Sequence, residues 1–250
     1  MSAPRATNLS DRRRVLAALG ALGVPAWCGL GSHSVPVRAA SSGTATGTSC
    51  VLSPRMTEGP YFVDERLNRS DLTSGSNRAG VVQGMPLALA IDLQRVTPAG
   101  CIPFAGVRVD VWHCDATGEY SDEPAGMGQS GTQGQTYLRG YQVSDASGRV
   151  TFKTIYPGWY PGRTIHIHLK ARTFAGDGSR AFEFTTQLYF DDAVSDAVMA
   201  AAPYNARGRR ATRNANESIF VGQTSARVVL ARAADGARGY AATVTLGLTG

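Results

Sequence analysis

The sequence predicts an all-β protein, with an antiparallel β-sandwich core, long loops and one or two short helices. Three observations predict this fold. Segments rich in β-branched and aromatic residues recur along most of the chain, Gly, Pro, Asp and Ser separate them, and several of them alternate apolar with polar residues. In GVRVDVWH (106–113) the valines face one way, while Arg108 and Asp110 face the other. Regular strands separated by turn residues are typical of a sandwich or a barrel.

Seven segments show this strand composition. They are PLALAIDLQRV (86–96), GVRVDVWH (106–113), GRVTFKTIY (148–156), RTIHIHLKA (163–171), AFEFTTQLYF (181–190), ARVVLA (226–231) and YAATVTLGL (240–248). One helix is predicted over Asp192–Ala202. The glycine-rich segment Glu123–Thr136 begins three residues after Tyr120 and has no apolar periodicity. A loop of this length is either functional or a flexible connection exposed to solvent, and the sequence leaves both open.

The first forty residues have the pattern of an export signal. Arg12, Arg13 and Arg14 precede the apolar run VLAALGALGVPAWCGL, and small residues follow near Ala39 and Ala40. Paired arginines before a mildly apolar run indicate the twin-arginine route, and an ordinary secretory signal or a single anchor are the alternatives. The run is too short and too rich in glycine to predict a membrane-spanning helix. We therefore expect a bacterial protein exported to the periplasm or the medium, with no membrane attachment once the signal is removed.

Residues 41–49 are Ser, Thr, Gly and Ala, which predicts a flexible linker before a single domain over 50–250. Residues 1–40 carry five of the 25 basic residues and one of the 19 acidic ones, so the remainder has a net charge of only about +2. This balance, and the absence of any stripe of Lys or Arg, argue against a nucleic-acid partner. The sequence leaves a homodimer open.

The cysteines beyond the signal are Cys50, Cys101 and Cys114. A disulfide is expected outside the cytoplasm. Cys101–Cys114 is the preferred pair because the two residues flank one short strand-like run, and Cys50 is then free or an alternative partner. No CxxC spacing indicates zinc.

The segment YPGWYPGRTIHIH (156–168) carries the strongest functional pattern. His166 and His168 are separated by one residue on a predicted strand, so both imidazoles point to the same face and can bind one metal ion. Alone, this spacing also fits two half-buried core or surface histidines. The prolines and glycines before it predict a tight turn that can fold Tyr160 back over the strand.

Tyr120 ends WHCDATGEY at another transition from strand to loop and is the fourth candidate metal ligand. Two tyrosines and two histidines form a hard, anionic set of donors, which favours Fe(III) over Zn(II) or Cu(I). Two tyrosinates and one hydroxide would also balance the charge of a trivalent ion in a buried site.

Five motifs in this order resemble the intradiol ring-cleaving dioxygenases, and in particular their exported, short-form members. The motifs are TEGPYF (57–62), VDVWHCDATGEYS (109–121), YLRGYQVSDASGRVTF (137–152), TIYPGWYPGRTIHIH (154–168) and TTQLYF (185–190). The resemblance covers roughly residues 50–220 and implies a β-sandwich. It also implies an enzyme that uses O2 to open the ring of a catechol between its two hydroxyl-bearing carbons, giving a muconate-type diacid.

Residue by residue, the resemblance implies one Fe(III) per chain, held by Tyr120, Tyr160, His166 and His168. It places Arg163 and Gln187 either around the iron ligands or facing the substrate, and implies catalytic roles for Tyr160, Arg163 and Gln187. Arg163 is expected to bind substrate as well. Tyr160 is the ligand expected to swing away when substrate binds, since it lies in a turn rich in Pro and Gly. Tyr61 of TEGPYF either lines the substrate pocket or packs against the sandwich.

The chain departs from the family in one place. Classical members carry a longer insert between the second tyrosine and the HxH pair, whereas only five residues, PGRTI, separate Tyr160 from His166 here. A shorter segment would shorten one wall of the pocket. We therefore expect an open site that accepts substituted catechols.

Two other functions are compatible with parts of the sequence. His113 and Asp115, followed by His168, mimic the two histidines and one carboxylate of Fe(II) oxygenases. That assignment leaves both tyrosines and His166 without a role. The other alternative is a secreted β-sandwich without catalytic activity that binds a sugar or a surface partner.

Overall fold

The structure is a computed structural model, and it describes residues 51–74, 82–127, 129–220, 229–232 and 239–250. The predicted signal, the predicted linker and Cys50 lie outside the described residues. Within those residues the strands are β1 (Pro86–Thr97), β2 (Gly100–Pro103), β3 (Arg108–Trp112), β4 (Arg139–Val143), β5 (Arg149–Ile155), β6 (His166–Phe174), β7 (Arg180–Tyr189), β8 (Val229–Arg232) and β9 (Tyr240–Leu248). The helix α1 covers Asp192–Met199, and a 3-10 helix covers Tyr204–Arg207. None of the helices in this part of the chain is long and apolar enough to cross a membrane.

The strands form two sheets. Sheet 1 has the order β2-β1-β9-β8, with β5 also paired to β1, and sheet 2 has the order β4-β3-β6-β7. The predicted all-β sandwich with short helices is confirmed. One feature differs from the predicted antiparallel arrangement, since β1 and β9 pair in parallel. Parallel strands need a long crossover between them, and the chain from Thr97 to Tyr240 supplies it. Residue alternation is the same in both orientations, so the sequence does not distinguish them.

One core lies between the two sheets. Sheet 1 contributes the alternating residues Leu87, Leu89 and Ile91, and sheet 2 contributes Ile167 and Leu169. The opposite face of β6 is buried too, since the strand is buried on both sides from His166 to Arg172. This outer face of sheet 2 holds the polar side chains of the strand, and it is the face on which the candidate site lies.

The segment 57–69 covers the charged part of the outer face. Lys170 pairs with Glu58 and lies 3.9 Å from the centre of the Phe62 ring. Arg172 bridges Asp64 and Asp110, with contacts of 3.1 and 2.8 Å. Buried charges are tolerated where they are paired in this way, so the segment encloses polar residues that would otherwise face solvent.

The predicted Cys101–Cys114 disulfide is wrong. Cys114 is free and buried, and Cys101 is disulfide-bonded to a partner outside the described residues. The physical reason is the fold, because Cys101 lies in β2 of sheet 1 whereas Cys114 follows β3 of sheet 2. The Cys114 thiol donates to the Gly158 carbonyl at 3.4 Å and packs in a cluster with Trp112 and Tyr120.

Candidate metal site

The register of sheet 2 places four polar or aromatic residues in one row. Trp112 on β3 pairs with Arg139 on β4 and with His168 on β6, and His168 pairs with Gln187 on β7. Residues directly opposite each other in a sheet point to the same face. The row therefore presents Arg139, Trp112, His168 and Gln187 side by side on the outer face, next to the pair His166 and Tyr189.

The two histidines meet through their Nε2 atoms, which are 3.0 Å apart. The Nδ1 atom of His166 donates to the Thr164 carbonyl at 2.7 Å, which leaves Nε2 as the lone-pair nitrogen in the neutral ring. The His168 ring stacks on Trp112, with centroids 4.9 Å apart and planes 7° from parallel. The Thr164 carbonyl thus orients the His166 ring and Trp112 orients the His168 ring, so that the two Nε2 atoms face a common point.

Tyr120 approaches this point from the loop after β3. Its backbone N–H donates to Gln129 Oε1 at 2.7 Å, and its carbonyl accepts from the Thr132 hydroxyl at 2.6 Å. The segment Glu123–Thr136 therefore holds the backbone of Tyr120 rather than being a mere connection. The Tyr120 hydroxyl lies 3.5 Å from His166 Nε2.

Tyr160 approaches from the turn before β6, and its hydroxyl lies 3.2 Å from His166 Nε2 and 3.5 Å from the Tyr120 hydroxyl. Two glycines allow the turns that carry these tyrosines to pack backbone against backbone. A β-carbon on Gly118 would lie 2.2 Å from the Trp159 carbonyl oxygen, and one on Gly158 would lie 2.4 Å from the Asp115 backbone carbonyl oxygen. The close approach of the two turns brings the tyrosines together.

The four side chains fit a metal ion. Among the described residues no group of three or more His, Cys, Asp or Glu side chains could hold one, so a site here requires the tyrosines. Donor atoms about 2.1 Å from an ion lie about 3.0 Å apart at a right angle and about 3.4 Å apart at a tetrahedral angle. The separations of 3.0, 3.2 and 3.5 Å between the donors agree with such an arrangement.

Burial sets the charges of the donors. Loss of solvent lowers the pKa of His166 and of His168 well below the usual value, and the Arg163 charge lowers both further. The same loss of solvent raises the pKa of Tyr120 well above its usual value, and that of Tyr160 is raised too. The imidazoles are therefore neutral and ready to bind a cation, while the phenols need a nearby cation to ionise.

Comparisons with known proteins place the chain in a family. A family model described as Dioxygenase matches residues 57–224, which is more than half of the chain. The structure of an intradiol ring-cleavage dioxygenase from Tetranychus urticae superposes with a TM-score of 0.67 and 28% identity, covering 80% of this chain and 95% of that one. The chain belongs to the intradiol ring-cleavage dioxygenase family.

Two further relatives are similar to this intradiol dioxygenase. One is the dioxygenase domain of a dioxygenase carbohydrate-binding protein fusion from Streptomyces sp. SirexAA-E, with 28% identity and a TM-score of 0.56, covering 80% of this chain and 99% of that one. The other is the protocatechuate 3,4-dioxygenase beta chain of Burkholderia cepacia, 33% identical over 162 residues. That match covers 57% of this chain and 62% of the relative, so the chain spans less than two thirds of the length of this curated relative.

Arg163 and Gln187 lie beside the four candidate donors. The Arg163 guanidinium lies 3.3 Å from His166 Nε2 and donates to the Gln187 side-chain oxygen. Gln187 donates in turn to the Thr57 carbonyl at 2.8 Å and accepts from the Tyr189 hydroxyl at 2.9 Å. The Gln187 amide is therefore fixed from three sides and holds the arginine in place.

Tyr61 lies at the site rather than in the main core. Its ring stacks on Tyr120 with centroids 4.4 Å apart and meets Tyr160 edge-on at 6.2 Å. Gly59 of the same segment has a φ of +72°, and a β-carbon there would lie 3.3 Å from the His168 ring. The segment 57–62 thus forms one side of the site.

His113 and Asp115 are not brought to the donors. The His113 ring contacts the Thr154 hydroxyl at 2.7 Å and the Cys114 carbonyl at 2.8 Å, so both ring nitrogens are engaged elsewhere. One Asp115 oxygen accepts from the N–H groups of Thr117 and Glu119 and shapes the turn before Tyr120. These contacts disfavour the Fe(II) alternative.

Sequence reasoning missed two buried residues at the site. Glu217 forms an ion pair with Arg163, and Arg139 binds the Tyr61 carbonyl at 2.6 Å and the Ser121 carbonyl at 2.5 Å. Arg139 lies inside the motif YLRGYQVSDASGRVTF, which is the signal that could have drawn attention to it, but its strand β4 was not predicted. Glu217 lies about fifty residues beyond the histidines in an irregular segment, and no local pattern marks it.

Proposed function

We propose that the protein is a non-haem Fe(III) dioxygenase that cleaves catechols between the two hydroxyl-bearing carbons with O2 and gives muconate-type diacids. One observation carries the proposal, namely the convergence of Tyr120, Tyr160 and His168 on His166, with their donor atoms 3.0–3.5 Å from His166 Nε2. Family membership supports it. The relatives whose names specify intradiol or protocatechuate cleavage support catechols as the substrate class and O2 as the second substrate.

The donor set favours Fe(III), with one ion per chain. Phenolates are hard, anionic ligands, and two of them offset two of the three positive charges of a ferric ion in a buried site. Bound there, Fe(III) would supply Lewis-acid chemistry and a template that orients the substrate.

Tyr120 and Tyr160 differ in burial and in freedom to move, so we assign them different roles. Tyr120 is fully buried, and two hydrogen bonds from its backbone fix it to the following loop. Tyr160 is partly exposed and lies in a turn, where its side chain can move with little disturbance of the sheet. We assign to the Tyr160 oxygen the acceptance of a proton from a substrate hydroxyl, and to Tyr120 a constant position.

Other side chains of the site act on the substrate by charge and shape. The Arg163 guanidinium is placed to stabilise negative charge that develops on the substrate during ring opening, and Gln187 holds it there. Tyr61 supplies an aromatic wall beside the two tyrosines, against which a catechol ring can stack.

The absorbance and metal content of the purified protein test the proposal. We expect one tightly held iron per chain, a red-brown colour from phenolate-to-iron charge transfer, and products that carry both atoms of ¹⁸O2. Tyr160→Phe should weaken the colour and the cleavage of catechol. Tyr141→Phe is the matched control, because Tyr141 lies on the same sheet but packs against Arg108, 3.9 Å from its ring centre.

Three outcomes would contradict the proposal. A colourless, metal-free protein would indicate a binding module, and dependence on added Fe(II) with 2-oxoglutarate would indicate the other class of oxygenase. Full colour and activity in Tyr160→Phe would refute the ligand assignment.

We also propose export by the twin-arginine route, on the basis of the arginines and the apolar run in residues 1–40. Replacing Arg12, Arg13 and Arg14 together by Lys should retain the full-length protein in the bacterial cytoplasm, as measured by fractionation and immunoblotting. Unchanged export of that variant would contradict the route.

A further inference from the structure

Arg163 places a full positive charge next to the proposed metal ligands. One of its guanidinium nitrogens lies 3.3 Å from His166 Nε2, the atom on which both tyrosine hydroxyls also converge. A cation held by these donors would be repelled by an uncompensated guanidinium at this distance, and the repulsion is strong where water is excluded. The site therefore needs a way to compensate the Arg163 charge without removing it.

Glu217 supplies the compensating charge. Its side chain is 1% exposed, and one oxygen accepts from the Arg163 Nε–H. The other oxygen accepts from the Phe220 backbone N–H at 2.8 Å. A buried carboxylate with a hydrogen bond on each oxygen is held in one orientation, so the guanidinium that it binds is held too.

The segment that carries Glu217 is tied to the strand that carries the histidines. The Thr164 hydroxyl donates to Asn214 Oδ1 at 2.8 Å, and the Asn214 amide donates to the Phe190 carbonyl at 2.7 Å. Thr164 is also the residue whose carbonyl binds His166 Nδ1. The position of Glu217 relative to Arg163 is therefore set by the same local structure that orients His166.

We propose that Glu217 is a positioning residue for the metal site. It neutralises Arg163 and aims it, so that the four donors can hold a trivalent ion while the guanidinium remains available to the substrate. This inference rests on the proposed Fe(III) site. It assigns to Glu217 an effect on iron affinity that acts through Arg163 and requires no contact with the ion.

A double-mutant cycle on iron affinity tests the proposal. Fe(III) retention is measured by competition with EDTA for the wild type, Glu217→Gln, Arg163→Gln and the double variant, together with the visible charge-transfer band. We expect Glu217→Gln to weaken Fe(III) binding by about 10- to 100-fold, the range that is typical of residues supporting metal ligands. We expect the double variant to recover at least about tenfold of that loss, because the uncompensated charge is gone.

Two further variants separate charge from structure. Glu217→Asp keeps the negative charge, and we expect its iron affinity to exceed that of Glu217→Gln even if the shorter side chain lowers kcat. Asp110→Asn breaks another buried carboxylate–arginine contact of the outer face, to Arg172 at 2.8 Å. It should lower the thermal stability of the metal-free protein and leave the iron affinity and the absorption band unchanged.

The outcomes are distinguishable. A wild-type protein that holds no Fe(III) overturns the proposed function and this inference together. A wild type that holds Fe(III), with losses in Glu217→Gln and Arg163→Gln that simply add in the double variant, leaves the proposed function standing and overturns the role of Glu217. If Glu217→Gln fails to fold, the double variant and Glu217→Asp carry the test. Neither leaves an uncompensated guanidinium, so a loss of iron affinity of more than about tenfold in both of them refutes compensation by charge.

Discussion

Gly118 offers a direct test of how the two tyrosines are brought together. Its φ is +81°, and a β-carbon there would lie 2.2 Å from the Trp159 carbonyl oxygen and 3.0 Å from the Trp159 carbonyl carbon. Both are backbone atoms and cannot rotate away. Gly118→Ala should therefore force the turn before Tyr120 apart from the turn that holds Tyr160.

The magnitude follows from two contributions. An alanine in the left-handed region costs about 1–2 kcal/mol. Overpacking against a fixed neighbour costs about 1–3 kcal/mol more. We expect Gly118→Ala to lower the free energy of unfolding by about 2–5 kcal/mol, measured by urea denaturation.

Gly178→Ala is the matched control for this substitution. Gly178 has a φ of +82°, but a β-carbon there meets nothing within 4 Å. It should show the backbone contribution alone, about 1–2 kcal/mol, with full iron content. Gly118→Ala should also lose iron, since Tyr120 and Tyr160 separate. Equal destabilisation by the two substitutions would refute the close contact between the turns.

Three other predictions follow from the site and its surroundings. Removal of Fe(III) by chelation should abolish the colour and lower the free energy of unfolding. The loss should be about 2.7 kcal/mol relative to protein with free iron at a hundredfold excess over Kd. A Tm unaffected by iron would contradict this prediction. Burial lowers the pKa of His113 from 6.5 to about 4, so the neutral ring stabilises the fold fully above pH 6.5 and this contribution is lost as the pH falls toward 4. The lost contribution is about 3 kcal/mol of the free energy of unfolding. Urea titrations should show that this free energy differs less between pH 7 and pH 4 for His113→Gln than for the wild type. Equal differences in the two proteins would contradict the role of His113. The short segment between Tyr160 and His166 should permit comparable turnover of catechol and bulky 4-substituted catechols, whereas strict use of one small catechol would rule out an open pocket.

Local patterns were enough to predict most of the strands and the core of the candidate site. The HxH spacing put His166 and His168 on one face because side-chain direction in a strand alternates with every residue. Turn residues around Tyr160 marked a reversal just before that strand. Strands β2 and β4 were missed, since a four-residue segment and RGYQV have too little alternation to show.

Contacts between distant parts of the chain could not be predicted from the sequence. The preferred disulfide failed because the closeness of Cys101 and Cys114 in the chain does not reveal that Cys101 lies in sheet 1 whereas Cys114 follows a strand of sheet 2. The parallel pairing of β1 with β9 joins segments at opposite ends of the domain. Neither feature leaves a trace in local periodicity.

The sequence by itself determined the fold class, the donor types and the face on which the histidines lie, because these depend on residue identity and strand geometry. Only the tertiary structure decided that the Tyr120 and Tyr160 hydroxyls lie within 3.5 Å of His166 Nε2, and that Glu217 pairs with Arg163 beside them. The physical reason is that donor distances and charge compensation depend on the packing of turns and loops. That packing is set by backbone contacts such as the one at Gly118, between residues that are far apart in the chain.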